Sequence, residues 1–134
     1  MTHDTLCDIY RAYIDCLNRQ DWDRLGQFVD DDVERNGRAL GLSGYREMLE
    51  ADFRAIPDLR FTIDLLVADP PRIASRLLFD CRPVGELFGI PVNGRRVQFS
   101  ENVFYEFVDG CIRRVWSVID QAAVARQVGV LGAA

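Results

Sequence analysis

The segment "RRVQFSENVFYEFVDGCIRRVWSVID", residues 95–120, decides the fold. Two runs rich in β-branched and aromatic residues flank Asp109-Gly110, a dipeptide that favours a tight hairpin because both residues tolerate positive φ. In the first run Val97, Phe99, Glu101, Val103, Tyr105 and Phe107 recur at every second position. That period puts all six on one face of a strand. The second run ends at Asp120, and "QAAVARQV", residues 121–128, continues as a helix-like run.

Working back from this hairpin, "IASRLLFDCR" (residues 73–82) reads as another long strand. "LRFTIDLLV" (residues 59–67) is a further one, with Leu59, Phe61, Ile63, Leu65 and Val67 alternating with more polar neighbours. "DPPR" turns the chain between them, and the Gly/Pro-rich "PVGELFGIPVNG" (residues 83–94) reads as an irregular loop. Before Pro57 the period is about 3.6. Leu6, Ile9, Tyr10, Tyr13, Ile14 and Leu17 form one helical stripe. Asp21 is placed to cap a shorter helix carrying Leu25, Phe28 and Val29. Ser43 is placed to cap a third with Tyr45, Met48, Leu49, Phe53 and Ile56 facing inward. "DDDVERNG" between them reads as a turn entering a short extended piece near residues 33–36.

Helices first and a hairpin-linked sheet afterwards define an α+β fold, a single domain over residues 1–134. About three N-terminal helices packed on one face of a bent, mostly antiparallel sheet enclose a cone-shaped cavity, a natural small-molecule site. Strand residues of both parities include apolar side chains, as where Ala74 and Leu78 oppose Ile73, Leu77 and Phe79. A second sheet face of that kind predicts a homodimer.

Composition narrows the chemistry. All 16 basic residues are arginine, and His3 is the sole histidine. A lysine Schiff base, a covalently held pyridoxal group and a histidine-rich zinc site are therefore excluded. Cys7, Cys16, Cys81 and Cys111 form no Cys-x-x-Cys pair and read as free thiols in a reducing cytoplasm. No metal and no cofactor is expected. A net charge of −5 argues against a nucleic-acid partner, and no apolar run reaches the roughly 20 residues that span a bilayer. The N-terminus lacks the basic-then-apolar pattern of a secretory leader, so none is expected.

The remaining candidates are carboxylates, amides, tyrosines and arginines. Glu101 is the only charged member of an otherwise apolar strand face. It marks a strand bulge, a satisfied ion pair with an arginine such as Arg35 or Arg114, or a carboxyl shifted for proton transfer. Asp120, at the end of the last strand, is a helix N-cap, an acid/base, or both. Asn36 beside Gly37 is a turn residue or, with Asn102, an amide for a developing enolate oxygen. Tyr13, Phe53 and Trp116 offer flat walls for an apolar or polycyclic carbonyl compound.

The order of elements, the "GELFGIPVNGRRV" loop-to-strand segment and the "DG-x-I-x₃-W-x₃-D" ending resemble the SnoaL-like polyketide cyclases of the NTF2-like superfamily, over about residues 5–128. The resemblance implies an aspartate near the end of the last strand acting as acid/base in an intramolecular aldol ring closure without metal or cofactor. Asp120 matches that position. Histidines found in such pockets have no counterpart in "QFSENVF", and Arg35 stands in "ERNG" where a histidine is expected. The fold also hosts isomerases, hydrolases, dehydratases and non-catalytic binding modules. Two alternatives to cyclisation therefore stay open: a ligand-binding or dimerisation module, and a hydrolase or dehydratase.

Overall fold

The computed structural model describes residues 1–129. In chain order the elements are α1 (His3–Asn18), a 3-10 helix (Trp22–Gln27), β1 (Val29–Arg35), β2 (Arg38–Ala39), α2 (Gly41–Ala55), β3 (Thr62–Asp69), β4 (Arg72–Cys81), β5 (Glu86–Leu87), β6 (Ile90–Pro91), β7 (Val97–Val108), β8 (Cys111–Ile119) and α3 (Gln121–Val128). Six strands form one sheet in the order β2-β1-β8-β7-β4-β3, antiparallel except where β1 runs parallel to β8. The α+β cone expected from the sequence is the observed architecture.

The longest strand, β7, lies inside the sheet between β4 and β8, and its alternation sets the core. Val97, Phe99, Val103, Tyr105 and Phe107 are buried on one face, against Leu6, Tyr10, Tyr13 and Leu17 of α1 and Tyr45, Leu49 and Phe53 of α2. Asp109 and Gly110 both take positive φ, as the hairpin reading requires.

Local details depart from the sequence reading. The second helix is a 3-10 turn, and Asp21 precedes it without a side-chain cap bond. α2 starts at Gly41, two residues before Ser43, and its N-terminal neighbour Leu40 supplies no capping side chain. Gly41 sits at φ +67°, where a Cβ would meet the Asp31 carbonyl oxygen at 3.3 Å. A close backbone approach, not a hydroxyl cap, fixes this start. The Gly/Pro segment carries the small β5–β6 hairpin. In β3 the register slips between Ile63 and Leu65, which turns Leu65 and Val67 outward instead of continuing the inner row.

Asn18, at the last turn of α1, ties the helix to the chain entering β3. The Phe61 N–H donates to Asn18 Oδ1 at 2.7 Å, and Asn18 Nδ2 donates to the Phe61 carbonyl at 2.9 Å. The amide thereby replaces a strand partner that Phe61 lacks. Replacing it with alanine leaves two backbone groups unpaired, so Asn18→Ala is expected to cost about 1–3 kcal/mol in a denaturant titration. A loss below about 0.5 kcal/mol would mean water satisfies Phe61 equally well.

Candidate active site

Between the helices and the inner sheet face lies a cavity of about 290 Å³. Apolar side chains form most of its wall: Phe61, Phe79, Phe88 and Phe99 on one side, Met48 and Leu49 of α2 with Ile56 just after it on another, Val115 and Ile119 of β8 on a third. The phenyl rings are continuous, with Phe79 stacked on Phe99 at 5.0 Å between centroids and edge-on to Phe61 at 5.4 Å. The polar exceptions are Tyr13, Tyr45, Tyr105, Arg35, Asp52, Glu101 and Gln121.

Glu101 reaches the cavity because it occupies an inward position of β7. Its side chain is only 14% exposed. Ser117, on the neighbouring strand, donates its hydroxyl to Glu101 Oε2 in a short hydrogen bond. Arg35, at the end of β1, sets a guanidinium nitrogen 3.7 Å from the same oxygen. Burial pushes the Glu101 carboxyl above the ordinary carboxylate range, against the pull of Ser117 and Arg35 in the other direction. Of the two arginines, the partner is Arg35, and burial raises the carboxyl beside it.

The four tyrosines of the chain gather beneath it. Tyr13 and Tyr45 share a hydrogen bond of 2.7 Å, and the Tyr10 hydroxyl donates to Tyr105 at 3.3 Å. Burial holds Tyr13, Tyr45 and Tyr105 well above the usual phenol range and Tyr10 up to about 12, so all four remain protonated donors. A pair of hydroxyls spends one proton on its mutual bond and keeps the other. Tyr13 or Tyr45, and separately Tyr105, thus retain an O–H at the cavity wall.

The sequence profile of the SnoaL-like polyketide cyclases matches residues 7–128. This chain belongs to the SnoaL-like polyketide cyclase family. It is similar to a SnoaL-like polyketide cyclase from Agrobacterium tumefaciens, at 59% identity and a TM-score of 0.92, covering 96% of this chain and 100% of that one. TsrD from Streptomyces laurentii shares the fold at 24% identity and a TM-score of 0.85, covering 98% and 99%. IdmH from Streptomyces antibioticus, a candidate polyketide cyclase, does so at 19% identity and 0.81, covering 93% and 99%. No curated protein matches the chain significantly.

Within this SnoaL-like fold the structure sorts the residues singled out by sequence. Glu101, Arg35 and Tyr13 meet at the cavity. Phe53 is buried behind the wall, between Trp22 and Phe61. Asn102 and Trp116 point to the outer sheet face, because they alternate with the inward Glu101, Val103 and Val115. Asn36 takes positive φ in its turn, and its side chain clamps Ser117, accepting from the Ser117 N–H at 2.9 Å and donating to its carbonyl at 3.3 Å. It acts on Glu101 only through Ser117.

Asp120 does not reach the cavity. Val115 and Ile119 face inward, so Asp120 has the opposite parity and lies in an outer depression with Arg76, Asn102 and Ser100. Its carboxylate accepts from the Ala123 N–H at 3.1 Å as the N-cap of α3. A cavity-lining carboxylate absent from the sequence reading is Asp52. It lies on the same α2 face as Tyr45, Met48, Leu49 and Ile56, and that spacing was the available signal. Among the described residues no group of three or more His, Cys, Asp or Glu side chains converges as a metal site.

The capping role has a direct consequence. Asp120→Ala is expected to lower stability by about 1 kcal/mol, while Asp120→Asn, also a good cap, stays within a few tenths. Thermal unfolding of both variants checks the pair. Equal losses would show that the negative charge at the helix start, not the cap bond, is what counts.

Proposed function

We propose that this protein catalyses cofactor-independent acid/base chemistry on a small carbonyl compound, of the intramolecular aldol or enol-shifting type, with Glu101 as the base. The observation that carries this reading is the raised Glu101 carboxyl, held by Ser117 and Arg35 in a phenyl-lined cavity with unspent tyrosine hydroxyls. A desolvated carboxylate is a stronger base toward carbon acids than one in water, and its task is to remove a proton next to a carbonyl. The enolate oxygen that results needs donors that are already in place. Tyr13 or Tyr45 and Tyr105 supply them without reorganisation. Arg35 compensates the Glu101 charge when the cavity is empty, and Phe79, Phe88 and Phe99 hold the ring of the ligand.

The size of the cavity selects among carbonyl compounds. Its 290 Å³ falls at the lower edge of the roughly 300–1,000 Å³ usual for ligand pockets. One or two rings fit inside, and a longer polycyclic substrate leaves part of itself at the mouth, near Gln121.

Deuterium exchange measures the first step without knowledge of the physiological substrate. The α-hydrogens of 2-tetralone in D2O, followed by proton NMR, are expected to exchange faster with the protein than without it. Glu101→Gln is expected to remove about 10²–10⁴-fold of that acceleration. Binding of 2-tetralone without accelerated exchange would support a ligand-binding module instead.

We also propose that the protein is a homodimer built on the outer sheet face. Leu65, Val67, Leu78, Phe104, Val108, Trp116 and Val118 are all exposed, and Val67, Ala74, Phe104 and Trp116 lie in register across four strands. Apolar patches of this kind mark interfaces, and twofold pairing is the commonest closed solution. Sedimentation equilibrium is expected to give twice the 15.3 kDa chain mass, falling to one chain in Phe104→Glu. A wild-type monomer at micromolar concentration would remove the dimer.

A further inference from the structure

We propose that Asp52 is a second proton-transfer residue of the cavity, delivering a proton to the acceptor oxygen while Glu101 takes one from carbon. The proposal rests on the reading of Glu101 given above and extends it to a cavity-lining residue of α2. Asp52 comes from α2, whereas Glu101 comes from the sheet, so the two carboxyls face the ligand space from different sides. Each is the only charged residue in its apolar row: Asp52 among Tyr45, Met48, Leu49 and Ile56, Glu101 among Phe99, Val103 and Tyr105.

An aspartate on the solvent side of a helix ordinarily pairs one turn away. On the same helix Glu50 does so, accepting from Arg46 at 3.3 Å. Asp52 has Met48 and Leu49 on one side and Ala55 and Ile56 on the other, and none of these is a donor. The charged groups that act on it are Glu101 from β7 and Arg35 from β1. The phenols of the cavity, Tyr13 from α1, Tyr45 from α2 and Tyr105 from β7, stay neutral. Loss of hydration first, then Glu101, pushes the Asp52 carboxyl up to about 6, with Arg35 opposing. Asp52 also keeps solvent-exposed surface, so it sits where the cavity opens and exchanges protons with water.

Two carboxyls in one cavity with a single guanidinium resist double ionisation, because both acids cannot ionise without a like-charge penalty. In the productive form Glu101 is ionised and Asp52 protonated. Glu101 takes a proton from the carbon next to one carbonyl, and the C–H electron pair becomes the enolate. The enolate carbon attacks a second carbonyl carbon of the same molecule. A C–C bond forms, the π-bond of that carbonyl opens onto its oxygen, and that oxygen takes the Asp52 proton. Glu101 ends protonated and Asp52 ionised, and proton exchange through water at the mouth restores the start. The substrate is isomerised with no other reactant consumed.

Two measurements test this. Carbon-13 NMR titration of the labelled protein is expected to show Asp52 titrating near 6 and falling toward the ordinary value in Glu101→Gln. An Asp52 that titrates near about 4 in both proteins overturns the shared proton. The second measurement compares ring closure of heptane-2,6-dione with α-exchange of 2-tetralone. Asp52→Asn is expected to lose at least tenfold more in closure than in exchange, and the acidic limb of the closure profile is expected to change shape. Equal losses in the two reactions overturn the division of labour and leave Glu101 as sole acid and base. A wild-type protein that exchanges neither probe fails the Glu101 reading, and this proposal with it.

Discussion

The Glu101 carboxylate has to be kept inside an apolar cone, and much of the architecture on that side of the sheet is arranged around the requirement. An ionised carboxylate stripped of water is costly unless partners replace the lost hydration. Its two partners come from two different strands, Ser117 from β8 and Arg35 from the end of β1. Those strands meet in the only parallel pairing of the main sheet, with Arg35 in register with Val115. Asn36 then locks Ser117 through both of its backbone groups. The turn at residues 36–37 is therefore part of the acid's environment although neither residue touches the cavity. Removing a partner leaves the charge uncompensated, so the β1–β8 pairing bears directly on Glu101.

The same logic explains which parts of the molecule could be read in the sequence. The period-two row of residues 97–107 identified both the central strand and Glu101 as its odd member, because strand parity is local information. Arg35 was visible as a partner only as one of two arginines. The choice between Arg35 and Arg114 depends on which strand lies beside β8 and in what register. That is a property of the folded sheet. An inward placement of Asp120 and Trp116 fails on the parity of β8. Counting from Val115 places Ser117 and Ile119 inside and Trp116 and Asp120 outside. Asp52 was equally countable on the stripe of Tyr45, Met48, Leu49 and Ile56, yet a charge on an amphipathic helix is ordinarily a solvent-facing one.

Elsewhere the sequence pattern was overridden by backbone geometry. Leu65 and Val67 continue the alternation begun at Leu59, but a register slip after Ile63 sends them to the outer face. The slip leaves Asp64 to pair with Arg76 at 3.2 Å and adds two apolar side chains to the exposed patch. At the start of α2 a glycine at positive φ took the place of the hydroxyl cap at Ser43. Neither event leaves a mark in hydrophobic periodicity, since both depend on how closely two segments of backbone approach.

The position of the acid also bears on how the family fold accommodates chemistry. Glu101 is the register partner of Ile119, the last residue of β8. Adjacent strands are about 4.8 Å apart, so the side chain at 101 enters the cavity one strand away from where an inward acid at the end of β8 would enter it. In this chain that end is occupied by isoleucine, and the following aspartate is committed to the helix cap. A carboxyl one strand over reaches much the same ligand space while the strand end remains free to start α3. Under the proposed role of Glu101, the cavity, its tyrosine donors and its phenyl wall stay in place while the proton-transfer group changes strand. Site chemistry is separable from fold in this way because the cone fixes which positions face inward, and several of those positions approach the same point.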